Sequence, residues 1–435
     1  MMARKHTVLA ATTAAAVALT LGACSSGGDD AGTDDGLSGE ITVLTNRTDI
    51  VDTKLADYVE EFQKIYPDID VEFEPLTDYE GDVSIRLNSK DYGDVLLVPN
   101  SVSQDQLPTF FEPLGTTTEL GEKYQFVNEK AYDGQVYGLA TFGTAMGLVV
   151  NTQVWKDAGI TEPPATRQEL LDGLKAIREK TDADPYYTNY KDKWPLDQWQ
   201  NNQGSVAGAG AVEERTQSDA PWSEGQEQYA IDGLLFDVVD AGLSEADPTT
   251  TNWEESKNLL AQGKVGSMVL GSWAVPQFKS AAEKIGENPD DVAFWPIPFG
   301  EDGKLRSTIS GDYKIAIAKN SEHKEAARAW VDWFLNESGF AESEGGIAPA
   351  TGSGLPESLG TFTDLGVELV ELDPMPEGKE SLDNDIANGA KIDLWGSQYR
   401  QELVDIARGA AKGDKDSFFA GLNSRWADAR AAATD

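Results

Sequence analysis

Between Ile41 and Val98 the sequence alternates between strand and helix periods, and this alternation restricts the fold more than any other feature. "EITVL" opens with the short apolar run Ile41–Leu44. Leu55, Tyr58, Val59, Phe62, Ile65 and Tyr66 then recur at helical spacing and stop at Pro67. Ile69, Val71 and Phe73 alternate with acids, the spacing of a strand. Further on, "DVLLVPNS" is a continuous apolar run, which predicts a strand buried on both faces. Strands alternating with helices predict an α/β sheet domain. Ligands of such open sheets collect at the loops beyond the strand ends, where Asn46, Arg47, Asn100 and Ser101 fall.

The chain is long for one core. It has 435 residues, of which about 400 follow a distinctive leader, so two domains are expected. In the leader, Arg4, Lys5 and His6 precede the uncharged stretch Thr7–Leu21, which suits an export signal and is short for a membrane span. "LGAC" ends this stretch at Cys24, the only cysteine. The tetrapeptide resembles a bacterial lipobox, in which the cysteine becomes the first mature residue and carries lipid. The alternative is a secretory signal cut near Ala23 that leaves a free thiol. Residues 1–23 are expected to be the signal, and 24–38, rich in Gly, Ser, Asp and Thr, a flexible acidic tether.

Without residues 1–23 the chain keeps 33 basic and 75 acidic side chains, a formal charge of −42. Phosphate backbones need clustered Lys and Arg, so nucleic acid is a poor partner. Beyond Cys24 the mature chain offers no other thiol, and His323 is its only histidine. Cys–His and Ser–His–Asp catalysis are thereby disfavoured, as are zinc sites built on His or Cys. "DNDIANG", from Asp383, has Ala387 where a calcium loop needs a ligand, and lacks the closing Glu. No cofactor is expected.

The stretch Asp133–Lys180 reads as a Gly turn feeding Val136–Leu139, a Gly/Thr loop, the strand Met146–Val150 and the helix Thr152–Ala158. Thr166 and Glu169 then form a capping box. Its "DGQVYGLA…NTQVWKDAG" core resembles the extracellular solute-binding proteins of carbohydrate ABC importers, the group containing the maltose-binding protein. "AQGKVGSMVLGSWAVPQFK" and "GDYKIAIAKNSEHKEAARAWVDWFLNES" are similar to later segments of that family, as are "YPDIDVEFE" and "FEPLG". The resemblance implies a two-lobed periplasmic-binding-protein-like α/β fold with a three-segment hinge. The N-terminal lobe is then 39–147 and 313–340, and the C-terminal lobe 152–307 and 347–435. Crossings are expected near Gly147–Thr152, Ser307–Ile315 and Glu337–Gly346. It also implies a monomeric binder outside the cell that captures a carbohydrate in the cleft between lobes. The ligand then passes to the transmembrane permease subunits, with a lipid on Cys24 as membrane anchor.

Sugars offer flat C–H faces to aromatic rings and hydroxyls to Asp, Asn, Arg and Thr. Eleven tryptophans must therefore be sorted. Trp330 and Trp333 share a helical stripe with Phe334 and are expected in the core, as are Trp155 and Trp426. Trp194 and Trp199 lie in the polar "KDKWPLDQWQNNQG" and Trp222 in "DAPWSEG", where a ring serves either a ligand or the anchoring of a loop. Trp253 and Trp295 stay open. The resemblance adds Trp273 and Trp395 as stacking tryptophans and Thr144 as a cleft position. Asp312 stands where many relatives have Gly-Gly. Arg47 either pairs with a uronate or donates to hydroxyls. Competing functions are a sugar-cleaving hydrolase, for which 75 carboxylates leave room, an adhesive lipoprotein, and a binder of another solute.

Overall fold

The computed structural model describes residues 36–48, 50–77, 79–300 and 303–434. Cys24, the leader and most of the tether lie outside these residues.

Among the described residues, thirteen strands follow one another as β1 (Gly39–Thr45), β2 (Ile69–Pro75), β3 (Val95–Leu97), β4 (Gly115–Thr116), β5 (Ala131–Tyr132), β6 (Gln135–Val136), β7 (Leu139–Ala140), β8 (Gly143–Asn151), β9 (Ser267–Gly271), β10 (Val292–Trp295), β11 (Arg306–Gly311), β12 (Lys314–Ile317) and β13 (Glu368–Glu371). The first sheet has the order β2-β1-β3-β12-β7. Its strands β1, β2 and β3 are parallel, and β12 runs against β3 and β7. Successive residues bury on opposite faces, as the "VLLV" run requires. Val43, Val95 and Ile315 meet the helices Lys54–Gln63 and Lys324–Asn336 with Phe62, Trp330 and Phe334. Leu44, Leu96 and Ala316 meet Tyr79, Val83 and Phe111 on the other side. The helix predicted up to Pro67 ends at Gln63, and a last turn carries the chain to Tyr66, whose N–H still donates to the Phe62 carbonyl.

The second sheet is organised by β8, which pairs antiparallel with β9, β10 and β11, while β13 extends β11 in parallel. All nine residues of β8 are buried. Leu148 and Val150 face one cluster of the second lobe, and Ala145 and Val149 face another. The Gly/Thr loop expected before Met146 is part of this strand. Gly143 fits there because a Cβ would lie 2.5 Å from the Phe126 ring.

The chain passes from the first sheet to the second between β7 and β8, at Thr141–Phe142, earlier than the expected Gly147–Thr152. Gly147–Val150 instead serve as ladder partners of β9. The return lies at Asp312–Tyr313, between β11 and β12. A third connection brings Ile347 into mutual backbone hydrogen bonds with Gly143. Phe126 fills the space beside Gly143 and Gly311. It is fully buried with φ of 64°, and its N–H donates to Glu371 Oε1 at 3.1 Å.

Thr166 caps the helix Arg167–Lys180 by accepting from the Glu169 N–H at 3.2 Å. The return bond of Glu169 goes to the N–H of Ala165, one residue before the cap. "DNDIANG" lies within the helix Leu382–Ala390.

Candidate ligand-binding site

The sheets meet at a cleft of about 740 Å³. Thr45, Asn46 and Arg47 reach it from the end of β1, and Thr141, Phe142, Asp312 and Tyr313 from the two crossings. Ser343 and Glu344 approach from the third connection. Opposite stand Trp273, Lys257 and the helix Val275–Ile285, which contributes Pro276, Gln277, Ser280 and Lys284.

Trp273 is held from three directions. Its backbone N–H donates to Thr144 Oγ1 at 3.4 Å. That hydroxyl lies 3.1 Å from the Ser272 Oγ, which in turn accepts from the Ala145 N–H at 3.1 Å. The indole lies over Gly271, where a Cβ would come within 2.5 Å of its Cδ1 and Nε1. The Trp194 and Trp253 rings pack behind it, with centroids 5.9 and 6.0 Å away. They meet each other edge-to-face at 4.8 Å, and Lys257 Nζ sits 5.2 Å from the Trp253 ring centroid. Trp273 stays half-buried and packs against hydrophobic clusters of both lobes. It is therefore a preorganised aromatic face at the cleft.

The polar side opposite is a chain of charges. Arg47 Nη1 pairs with Glu344 Oε2, and Lys54 Nζ lies 3.6 Å from Glu344 Oε1. Asp312 belongs to the same group. Removal from water pushes its carboxyl above the usual carboxylate range, opposed by the positive charges of Lys314 and Arg47 and reinforced by Glu344. Burial likewise raises the Tyr313 phenol. Among the described residues, no group of three or more His, Cys, Asp or Glu is placed to hold a metal. No helix there is long and apolar enough to cross a membrane.

Residues 48–339 match the bacterial extracellular solute-binding proteins. The chain belongs to that family. A search of solved structures finds BlMnBP1, a binding protein of an ABC transporter from Bifidobacterium animalis subsp. lactis in complex with mannobiose. It is 34% identical with a TM-score of 0.81, over 92% of this chain and 96% of that one. BlMnBP2, a manno-oligosaccharide specific solute-binding protein of the same organism in complex with mannotriose, is 33% identical with the same TM-score, over 92% and 97%. The diacetylchitobiose binding protein DasA of Streptomyces coelicolor is 26% identical over 368 residues, 80% of this chain and 81% of the relative.

Within this solute-binding protein, Asn46, Arg47, Trp273 and Asp312 all line the cleft. Thr144 is buried one layer behind, where it supports Trp273. Trp194 also backs Trp273. Trp199 is corrected to a core residue: it is 2% exposed and its Nε1 donates to the Tyr186 hydroxyl at 2.9 Å. Trp222 is buried too, with Nε1 2.7 Å from Asp232 Oδ2. A polar loop accepts a buried indole when its N–H finds a partner. Asn100 leaves the cleft because Glu80 holds both its backbone N–H and its Nδ2, at 3.0 and 3.2 Å. Ser101 faces Ser84 instead, 3.0 Å away. Trp395, 45% exposed on a turn, does not reach the cleft. Trp330, Trp333, Trp155 and Trp426 are buried, as expected, and the open case of Trp295 resolves the same way. Sequence reading missed Glu344, Gln277 and Lys257, which carry no periodicity or motif of their own.

Proposed function

We propose that this protein captures a manno-oligosaccharide outside the cell and delivers it to the membrane permease of an ABC importer. The preorganised Trp273 face carries this reading. It stands across a cleft from Asn46, Arg47 and Asp312, and supplies a stacking surface opposite hydroxyl partners. The shared ancestry with proteins solved around mannobiose and mannotriose supports the sugar class. Binding closes the two lobes about the three crossings. No bond of the ligand is cleaved, since capture needs only affinity. A lipid on Cys24 keeps the receptor near its permease at high effective concentration.

A thermal-shift series with mannobiose, mannotriose, maltotriose and diacetylchitobiose tests this. A ligand at a hundredfold excess over its Kd adds about 2.7 kcal/mol of stability. The manno-oligosaccharides are expected to give the largest shifts and to be recovered uncleaved. A silent panel would remove the sugar assignment, and released mannose would replace the binder with a hydrolase. Small-angle scattering is expected to show a smaller radius of gyration with ligand. Cys24→Ser is expected to move the protein out of the membrane fraction.

A further inference from the structure

The chain as a whole is strongly acidic, yet its cleft is balanced. Three cations line it, Arg47, Lys257 and Lys284, against the carboxylates Glu254, Asp312 and Glu344. The balance is also paired. Arg47 meets Glu344, with side chains only 26% and 17% exposed, and Lys54 approaches the second oxygen of the same carboxylate. Asp312 lies close enough to feel both Arg47 and Glu344. Lys257 is bonded to Glu254 at 2.8 Å. Lys284 is exposed at the rim, where water and salt screen it.

This arrangement bears on the one cleft group suited to a planar bidentate anion. An arginine fork recognises a carboxylate, but here an internal carboxylate, that of Glu344, already holds Nη1 of Arg47. A ligand carboxylate seeking Arg47 would have to displace Glu344 in a partly desolvated site. It would also meet the negative charge of Glu344. A ligand hydroxyl pays no such penalty, because it accepts from an arginine already paired and donates to a carboxylate. We propose that Glu344 is a specificity-determining residue: by holding Arg47 it admits neutral sugars and rejects uronic acids. This rests on the carbohydrate reading above and narrows its substrate class.

Titration calorimetry with mannotriose and the matched mannuronate trisaccharide tests it, since the two differ in charge at C6 and share the sugar ring. The wild-type protein is expected to bind mannotriose and to bind the uronate at least a hundredfold more weakly. Raising salt is expected to recover only part of that gap, because the long-range field of the acidic surface is screened while the cleft contacts are not. Glu344→Gln and Glu344→Ser are each expected to improve uronate binding at least tenfold, a gain that misfolding cannot imitate. Adding Arg47→Gln is expected to abolish the gain. Uronate binding by the wild type within threefold of mannotriose would overturn the proposal and leave the sugar reading standing. So would Glu344 variants that bind mannotriose and gain nothing for the uronate. Binding of neither sugar would remove both.

Discussion

Arginine, carboxylate and tryptophan are assembled twice in this protein, once inside the second lobe and once at the cleft. Inside the lobe, Arg400 Nε lies 3.0 Å from Asp232 Oδ1, and both side chains are fully buried. The remaining Arg400 donors reach Gln200 Oε1 at 2.6 Å and the Leu394 carbonyl at 3.2 Å. Asp232 accepts further bonds from Trp222, Gln228 and Tyr399. Arg215 and Asp383 form a second buried pair nearby, 2.8 Å apart. At the cleft, Arg47 and Glu344 keep access to solvent, and Trp273 keeps an open face. The difference lies in exposure. A network enclosed on every side holds the lobe together, while one that borders a cavity can be reached by a ligand.

Breaking each pair separates the two roles most sharply. Asp232→Ala leaves Arg400 buried without its partner, and urea denaturation is expected to show a loss of about 3–5 kcal/mol. Glu344→Ala, at the more open pair, is expected to cost clearly less than Asp232→Ala. Equal losses would erase the distinction.

The tryptophans extend the comparison. Trp199→Ala is expected to lower stability by roughly 3–5 kcal/mol, the usual cost of removing a core aromatic. Trp273→Ala is expected to leave the unliganded protein nearly as stable as wild type. Its mannotriose affinity should fall by about 1–3 kcal/mol, roughly 5- to 150-fold. A Trp273→Ala protein that binds as tightly as wild type would end the stacking role.

A smaller effect is expected from Gly271→Ala. The added methyl falls on the Trp273 indole and must displace it. Affinity should drop by on the order of 1 kcal/mol, less than for removal of the ring. Unchanged affinity would mean that the orientation of the indole is unimportant.

The last prediction concerns pH and the buried side of the comparison. Burial pushes the Glu245 carboxyl up to about 7, although Thr188 hydrogen-bonds to it. Glu227 is raised to about 7 by burial as well. The folded protein therefore holds protons that the unfolded chain releases above its ordinary value of 4.5. Their stabilising effect is present at low pH and is lost as pH rises from about 4.5 through 7. Glu245→Gln is expected to flatten the fall in melting temperature across that window. An unchanged slope would show that Glu245 titrates normally.

Strand and helix periods made the first sheet legible. "ITVL" and "DVLLV" became β1 and β3, and the stripe of Trp330, Trp333 and Phe334 became a buried helix face. Asn46 and Arg47 were also reachable, because positions just past strand ends follow from the strands themselves, whereas Asp312 came from the family resemblance. Such signals are local: each depends on residues within a few turns of one another. Only the tertiary structure decided which aromatic rings face the cleft. Trp199 and Trp273 both sit in short 3-10 helices, Trp194–Asn202 and Ser272–Ala274. One finds the Tyr186 hydroxyl and is enclosed, while the other is propped by Thr144, 129 residues away, and left half open. One partner of Arg47, Glu344, lies 297 residues along the chain. Neither contact leaves a trace in periodicity, because burial and charge pairing depend on which distant segments the two sheets bring together.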